Sequence, residues 1–323
     1  MLLKEFAETL NEWGRRKVPF LFLVDFEMEK PLVFPLKEID SGKILYDING
    51  HTNAPASTPA RKAIDFIKFP PAFKEYKSKY DKVRAHLAYG DSYLTNLTIK
   101  TKVRTALSLK EIFFLSQAKY KLLFGEQFLV FSPETFVQIG EGKISTYPMK
   151  GTIDAAIPNA REKILADQKE MAEHVTIVDL LRNDLSSVAD NVQVTRFRYV
   201  EEIRTIHKDL LQISSEIRGD LSGDYWQSLG DIILKLLPAG SVSGAPKCKT
   251  VEIIRQSEIE KRGYYTGVVG LFDGNVLDSG VMIRFIENDQ GTYYYRSGGG
   301  ITMKSMAETE YQEAIDKVYV PLN

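Results

Sequence analysis

A chain of 323 residues carrying 42 basic and 43 acidic side chains has no global field with which to hold nucleic acid or an anionic membrane. Its hydrophobic share of 44% and charged share of 26% describe an ordinary globular protein, long enough for one large domain or two smaller ones. A single cysteine, Cys248, excludes an intrachain disulfide and fits a reducing compartment, with a buried, inert thiol as its expected state.

Leu3, Phe6, Leu10 and Trp13 recur at helical spacing, and strands are expected around Pro19–Val24 and Leu32–Pro35. The apolar run Val18 to Val24 is too short to span a bilayer. It follows a charged segment and precedes no small-residue cleavage site, so it reads as a strand and not a signal peptide, with the cytoplasm expected. Gly50 to Pro59, rich in Asn, Ala, Ser, Thr and Pro, is expected to be a loop. Phe73, Tyr76, Tyr80, Val83 and Leu87 form a helical stripe of core residues that stops at Gly90. Short strands separated by glycine turns follow as far as Thr152. A long helical region from about Ala160 to Leu185 precedes strands near Val192–Val200 and Leu210–Ile217. Trp226 to Leu236 reads as a helix, and Pro246 as the first residue of another, where its missing N–H is not needed. Hairpin strands fill Gly267 to Arg296, with Asp273-Gly274 as the turn, and a last helix runs from about Ala307 to Val320. Hairpins mixed with helices argue an α+β fold with largely antiparallel sheets.

Few positions carry chemistry by spacing alone. Lys150 follows the alternating strand Lys143-Ile144-Ser145-Thr146-Tyr147 and sits between Pro148 and Gly151, in what reads as a strained turn. Glu170 and Glu173 share one helix face, and Glu310 and Glu313 repeat the spacing; either pair alone reads more readily as a solvated surface. Four carboxylates brought together would repel unless a cation compensates, and Mg²⁺ suits such oxygens. Arg284 can offer a bidentate fork to a carboxylate or take part in a surface ion pair. Gly298-Gly299-Gly300 lets backbone N–H groups approach an anion or simply bends the chain. The stretch Gly240 to Lys247 has the wrong spacing for a phosphate loop, and no Ser or Thr follows Lys247.

Together these stretches resemble the chorismate-utilising enzymes, most closely the first component of aminodeoxychorismate synthase. The matching segments keep that family's order from Asp81 to Lys317: Gly90-Asp91-Ser92-Tyr93 and Asn96-Leu97-Thr98, Ser132-Pro133-Glu134, Pro148 to Thr152, Glu173-His174 with Ile177 to Leu185, Gly240 to Lys247, Arg262 to Gly267, Gly298 to Ile301, and Glu310 to Glu313 with Lys317. The resemblance implies two packed, largely antiparallel sheets flanked by helices. It implies one catalytic domain over residues 1–323, with a reduced N-terminal portion 1–70 packed on the core 71–323.

The resemblance also assigns roles. Lys150, Glu134, His207 and Thr152 match catalytic positions, with Glu134 the general acid and His207 close to the reacting ring. Ser241, Tyr265, Arg284, Gly298, Gly299, Gly300 and Lys317 match the chorismate pocket. Glu173 and Glu313 match direct Mg²⁺ ligands, and Glu170 and Glu310 match residues reaching the ion through water. Asp179, Arg182, Asn183 and Asp184 are expected to form an internal hydrogen-bonded network. In this family a lysine at the position of Lys150 accompanies aminodeoxychorismate formation, whereas anthranilate synthases typically carry Ala. Leu94 departs from the common Gln there and cannot activate water, which argues against an isochorismate synthase. The implied reaction is amination of chorismate by ammonia, with a separate glutamine amidotransferase as partner. An anthranilate-forming enzyme or a silent chorismate-binding subunit are the alternatives.

Overall fold

The structure is a computed structural model that describes residues 1–56, 65–203 and 209–321. Its backbone organises into two sheets in which every strand pairing is antiparallel. The first sheet runs Met149–Asp154, Leu210–Asp220, Lys143–Thr146, Thr135–Gly140, Leu277–Val281, Val268–Phe272, Phe20–Val24 and Leu32–Pro35, with Asp190–Ile203 also paired to Leu210–Asp220. The second runs Gly244–Ala245, Leu94–Arg104, Thr292–Ile301, Phe285–Asp289, Phe128–Ser132, Tyr120–Phe124, Ile44–Ile48 and His51–Thr52, with Ile67–Phe69 also paired to Leu94–Arg104. The first 70 residues thus supply strands to both sheets.

Side-chain alternation explains the packing. Along Phe20–Val24, Phe20, Phe22 and Val24 join a core with the helices Leu3–Arg15, Gln168–Ser186 and Leu229–Leu236. Leu21 and Leu23 point the other way, onto Tyr46, Tyr120, Leu122 and Val130 of the second sheet. A strand covered on both faces reads as an unbroken apolar run, which is why Val18 to Val24 has no polar alternation. Each such side chain contributes about 1.5–3 kcal/mol by leaving water. The outer face of the second sheet is covered by the helices Phe73–Tyr89, Lys247–Ser257 and Ala307–Asp316, through Tyr76, Tyr80, Leu97, Ile99, Ile253 and Ala314.

Several boundaries differ from the sequence reading, each for a local reason. The helical region after Ala160 is two helices, Ala160–Ala166 and Gln168–Ser186. Asp167 turns extended between them, and its carboxylate accepts the Glu170 N–H at 3.0 Å, starting the second helix. Tyr225–Ser228 forms a 3₁₀ turn before the helix Leu229–Leu236. Pro246 stands one residue before its helix instead of inside it. The last helix stops at Asp316, and Lys317 turns inward. Gly90 does close the helix Phe73–Tyr89, with φ +93°. Cys248 is exposed and not buried.

Candidate active site

The chain crosses between the sheets several times, and two of the crossings leave a functional side chain at the seam. Glu134 lies between Phe128–Ser132 of the second sheet and Thr135–Gly140 of the first. Arg284 lies between Leu277–Val281 and Phe285–Asp289, at φ +53°, so it occupies a link and not the strand its sequence suggests. The crossings lock together: Val281 N–H donates to Glu134 O at 3.0 Å, and Phe131 N–H to Arg284 O at 3.1 Å.

Lys150 reaches this seam from an edge. It belongs to the strand Met149–Asp154, so the expected strained turn is instead a β-bulge. Lys150 pairs with Ile213 and Thr152 with Gln212, which leaves Gly151 as the extra residue at φ +78°. Because Ile213 and Gln212 are consecutive, their side chains point to opposite faces, and the bulge sends Thr152 away from Lys150. Thr152 is exposed. A cavity of about 60 Å³ lies beside Glu134, Lys150, Gly240 and Ser241. That is room for a few waters and not for a whole substrate.

Glu134 is the electrostatic centre. Burial raises its pKa, and this outweighs the hydrogen bond donated by the Ser241 hydroxyl and the nearby charges of Lys150, Arg284 and Lys317, which all pull it down. A buried carboxyl held toward its neutral form is therefore set among three basic side chains. Burial lowers the pKa of Lys317; Glu313 opposes the shift, while Lys150 and Arg284 add to it. The Lys317 ammonium donates to Gly298 O at 3.0 Å and pairs with Glu313 at 2.6 Å. Tyr265 is buried edge-on against Phe285, with ring centroids 5.9 Å apart. The Arg284 guanidinium lies 5.0 Å from the Tyr319 ring centroid.

Gly298, Gly299 and Gly300 form the facing wall, paired with Thr98, Leu97 and Asn96. A Cβ on Gly299 would stand 3.6 Å from carboxylate oxygens of both Glu310 and Glu313 and 3.6 Å from the Lys317 nitrogen. One on Gly300 would stand 2.8 Å from a Leu94 methyl and 3.8 Å from the Lys150 nitrogen. The absence of side chains here is what lets the last helix, Leu94 and Lys150 meet. From the other side, Glu170 reaches within 3.1 Å of the place where a Gly151 Cβ would be, next to Lys150. Carboxylates from both helices therefore face one seam, and the donors are all hard oxygens, a set that fits Mg²⁺ completed by water. Glu173, one turn along from Glu170, is half-buried. Among the described residues no three His, Cys, Asp or Glu side chains gather closely enough to hold an ion by themselves.

The remaining site residues of the sequence reading fall out as follows. His207 lies outside the described residues. Arg182 and Asp179 form an exposed ion pair at 2.8 Å instead of an internal network. Asp184 is half-buried, pairs with Lys247 at 2.8 Å and packs beside Gly240, bracing the short helix Gly240–Ser243. Spacing did not point to Leu94 as a wall of the Lys150 pocket, nor to Arg262 and Glu258 beneath it. His174 is fully buried with its Nε2 2.7 Å from Ser215 Oγ; burial, then the Arg198 and Lys150 charges, lower its pKa to about 4.

The pattern of the family described as chorismate binding enzyme matches residues 34–323. The chain belongs to that family. A chorismate-binding enzyme of this length has close company: an uncharacterized PabA-like protein of Haemophilus influenzae is 48% identical over 320 residues, 99% of this chain and 97% of that one. Aminodeoxychorismate synthase component 1 of Salmonella typhimurium is 33% identical over 260 residues, 76% of this chain and 56% of that protein. The chorismate-binding chain thus spans about half the length of that relative. Anthranilate synthase component I of Streptococcus pneumoniae shares the fold, with a TM-score of 0.69 at 21% identity over 95% of this chain and 84% of that one. Among the described residues no helix is long and apolar enough to cross a membrane.

Proposed function

We propose that this chain aminates chorismate at C4 with ammonia, forming 4-amino-4-deoxychorismate, with Lys150 as a transient covalent nucleophile. The observation that carries the reading is the buried Glu134 carboxyl, its pKa raised by burial, hydrogen-bonded by Ser241 and set among Lys150, Arg284 and Lys317. Chorismate is a dicarboxylate whose C4 hydroxyl leaves poorly as hydroxide. The site offers both remedies, fixed cations for the carboxylates and an acid for the leaving group.

In this reading Arg284, Lys317 and the Gly298–Gly300 backbone orient the carboxylates, and Tyr265 closes one side. Once its ammonium proton has passed to solvent, the Lys150 amine attacks C2, the two ring double bonds shift, and the C4–O bond breaks as Glu134 gives its proton to the departing oxygen, releasing water. The extra proton on the Lys150 nitrogen passes to the Glu134 carboxylate, and Lys150 remains joined by a C–N single bond. Ammonia then attacks C4, the double bonds shift back, and the C2–N bond breaks as Glu134 protonates the departing Lys150 nitrogen, after which the ammonium formed at C4 returns a proton to Glu134. The balance is chorismate plus ammonia to aminodeoxychorismate plus water. Leu94, which lies beside the amine across Gly300, cannot itself activate water for attack at C2.

Glu173 and Glu313 are the residues proposed to hold Mg²⁺ directly, with Glu170 and Glu310 reaching it through water. Bound there, the ion supplies positive charge that fixes a substrate carboxylate. Ammonia is proposed to come from a separate glutamine amidotransferase subunit, in keeping with the similarity to a component 1. The deciding experiment incubates the purified chain with chorismate, Mg²⁺ and ammonium and identifies the product by mass. Aminodeoxychorismate supports the proposal. Fluorescent anthranilate would make this an anthranilate-forming enzyme, and unchanged chorismate that still binds would make it a silent binding subunit.

A further inference from the structure

The strand Leu94–Arg104 has a gap along one edge. Gly244–Ala245 pairs with its start and Ile67–Phe69 with its end, and between them the backbone of Asn96 and Thr98 meets side chains. Arg262 Nη2 donates to Asn96 O at 2.8 Å, and Thr98 N–H donates to Glu258 Oε1 at 2.9 Å. The two side chains form a bidentate ion pair, Nε to Oε2 at 2.8 Å and Nη2 to Oε1 at 2.7 Å, and are 1% and 6% exposed. They complete the ladder where no strand does. The remaining arm, Arg262 Nη1, donates to Val242 O at 2.9 Å and leans on Thr266 Oγ1 at 3.5 Å, whose hydroxyl donates to Tyr265 O at 2.6 Å.

Each segment so gripped carries a site group. Asn96 pairs with Gly300 of the facing wall, Val242 follows Ser241, and Thr266 follows Tyr265. Only a guanidinium has enough donors, in a rigid plane, to meet these acceptors together. A buried ion pair is a poor source of stability, because desolvation offsets the attraction, so its value here is geometric. We propose that Arg262, held by Glu258, is a positioning residue that fixes Ser241 against Glu134 and the glycine wall against Lys150 without touching substrate.

The kinetic arm of the test rests on the amination reading; a second arm does not. Removing the guanidinium outright, as in R262M, strands a buried carboxylate and is expected to unfold the chain, so R262K and E258Q carry the test. Amide hydrogen exchange without substrate should quicken in both variants over residues 94–100 and 239–246 together. With chorismate and ammonium, R262K should lower kcat about 10- to 100-fold, the scale of a small misplacement of reacting groups, with KM changed less than about threefold. Because the effect passes largely through Ser241, the double variant R262K/S241A should lose clearly less than the product of the two single losses. Strictly multiplicative losses, or a raised KM at unchanged kcat, would overturn the proposal. If the wild-type chain turns over no chorismate, the amination reading fails, and exchange alone decides: wild-type rates over either segment in R262K refute the clamp.

Discussion

Replacing Glu134 with Gln tests the centre of the site with the least disturbance to its shape. The Ser241 hydroxyl donates to Glu134, and a Gln carbonyl oxygen can accept the same bond. Burial already holds the wild-type carboxyl toward its neutral form, so the neutral amide introduces no new desolvation cost. The sign of the stability effect follows. A carboxyl whose folded pKa lies above its unfolded value favours folding below the unfolded pKa and loses that contribution as pH rises through the folded pKa. At neutral pH, E134Q should therefore be at least as stable as wild type. What it lacks is a transferable proton. General acid catalysis contributes 10²- to 10⁴-fold, so kcat should fall about 10²-fold or more, on the order of 3 kcal/mol, with KM for chorismate nearly unchanged. Because only protonated Glu134 can act, wild-type kcat should decline as pH rises past its raised pKa, and that limb should vanish in E134Q. Stopped assays following aminodeoxychorismate by mass across pH would measure both. A variant with kcat within about threefold of wild type and a raised KM would show that Glu134 only positions substrate.

Lys150→Ala should lose most aminodeoxychorismate formation, while wild-type enzyme quenched with chorismate and no ammonia should show a mass adduct on Lys150; an unimpaired variant contradicts covalent catalysis. Glu313→Gln and Glu173→Gln should each abolish turnover with the fold intact by circular dichroism, and full activity in EDTA would remove the metal from the proposal. His174 has a folded pKa of about 4 against about 6.5 unfolded, so the stability it confers is complete above pH 6.5 and lost as pH falls toward 4. The shift is worth about 3 kcal/mol, so urea titrations should show the advantage of wild type over His174→Gln shrinking across that window; a constant difference would refute the burial argument.

Local signals in the sequence carried far. The stripe from Phe73 to Leu87 ending at Gly90, and the Asp273-Gly274 hairpin, are decided by neighbours a few residues apart, and both stand in the structure. The glycine beside Lys150 was legible as a conformational exception, but a turn and a bulge use the same residue. Only pairing with Ile213 and Gln212, about 60 residues on, decides between them and turns Thr152 to the opposite face from Lys150. Glu134 and Arg284 owe their positions to crossings between sheets, which no periodicity encodes. Glu258 and Arg262 fail differently: an acid four residues before a base usually marks a wet helix surface, and burial reversed its meaning. Asp179 and Arg182 make the opposite case, a motif pair that turned out to be the wet surface.

The seam also explains how one pocket can hold an acid and three cationic groups without collapsing its own chemistry. Lys150, Arg284 and Lys317 each favour ionised Glu134, and a site open to water would let them win. Enclosure by these two crossings removes the solvation that ionisation needs, and the Ser241 hydroxyl donates a hydrogen bond that holds the carboxyl. Under the proposed reaction a dicarboxylate enters between these cations and takes up their positive charge. The pull on the Glu134 proton then weakens while burial deepens, so substrate strengthens the acid's hold on its proton until the leaving oxygen demands it. Lys317 already illustrates the rule within the free chain, where a backbone carbonyl and Glu313 support an ammonium that burial disfavours. Proton and charge are set by what the seam excludes as much as by what it supplies.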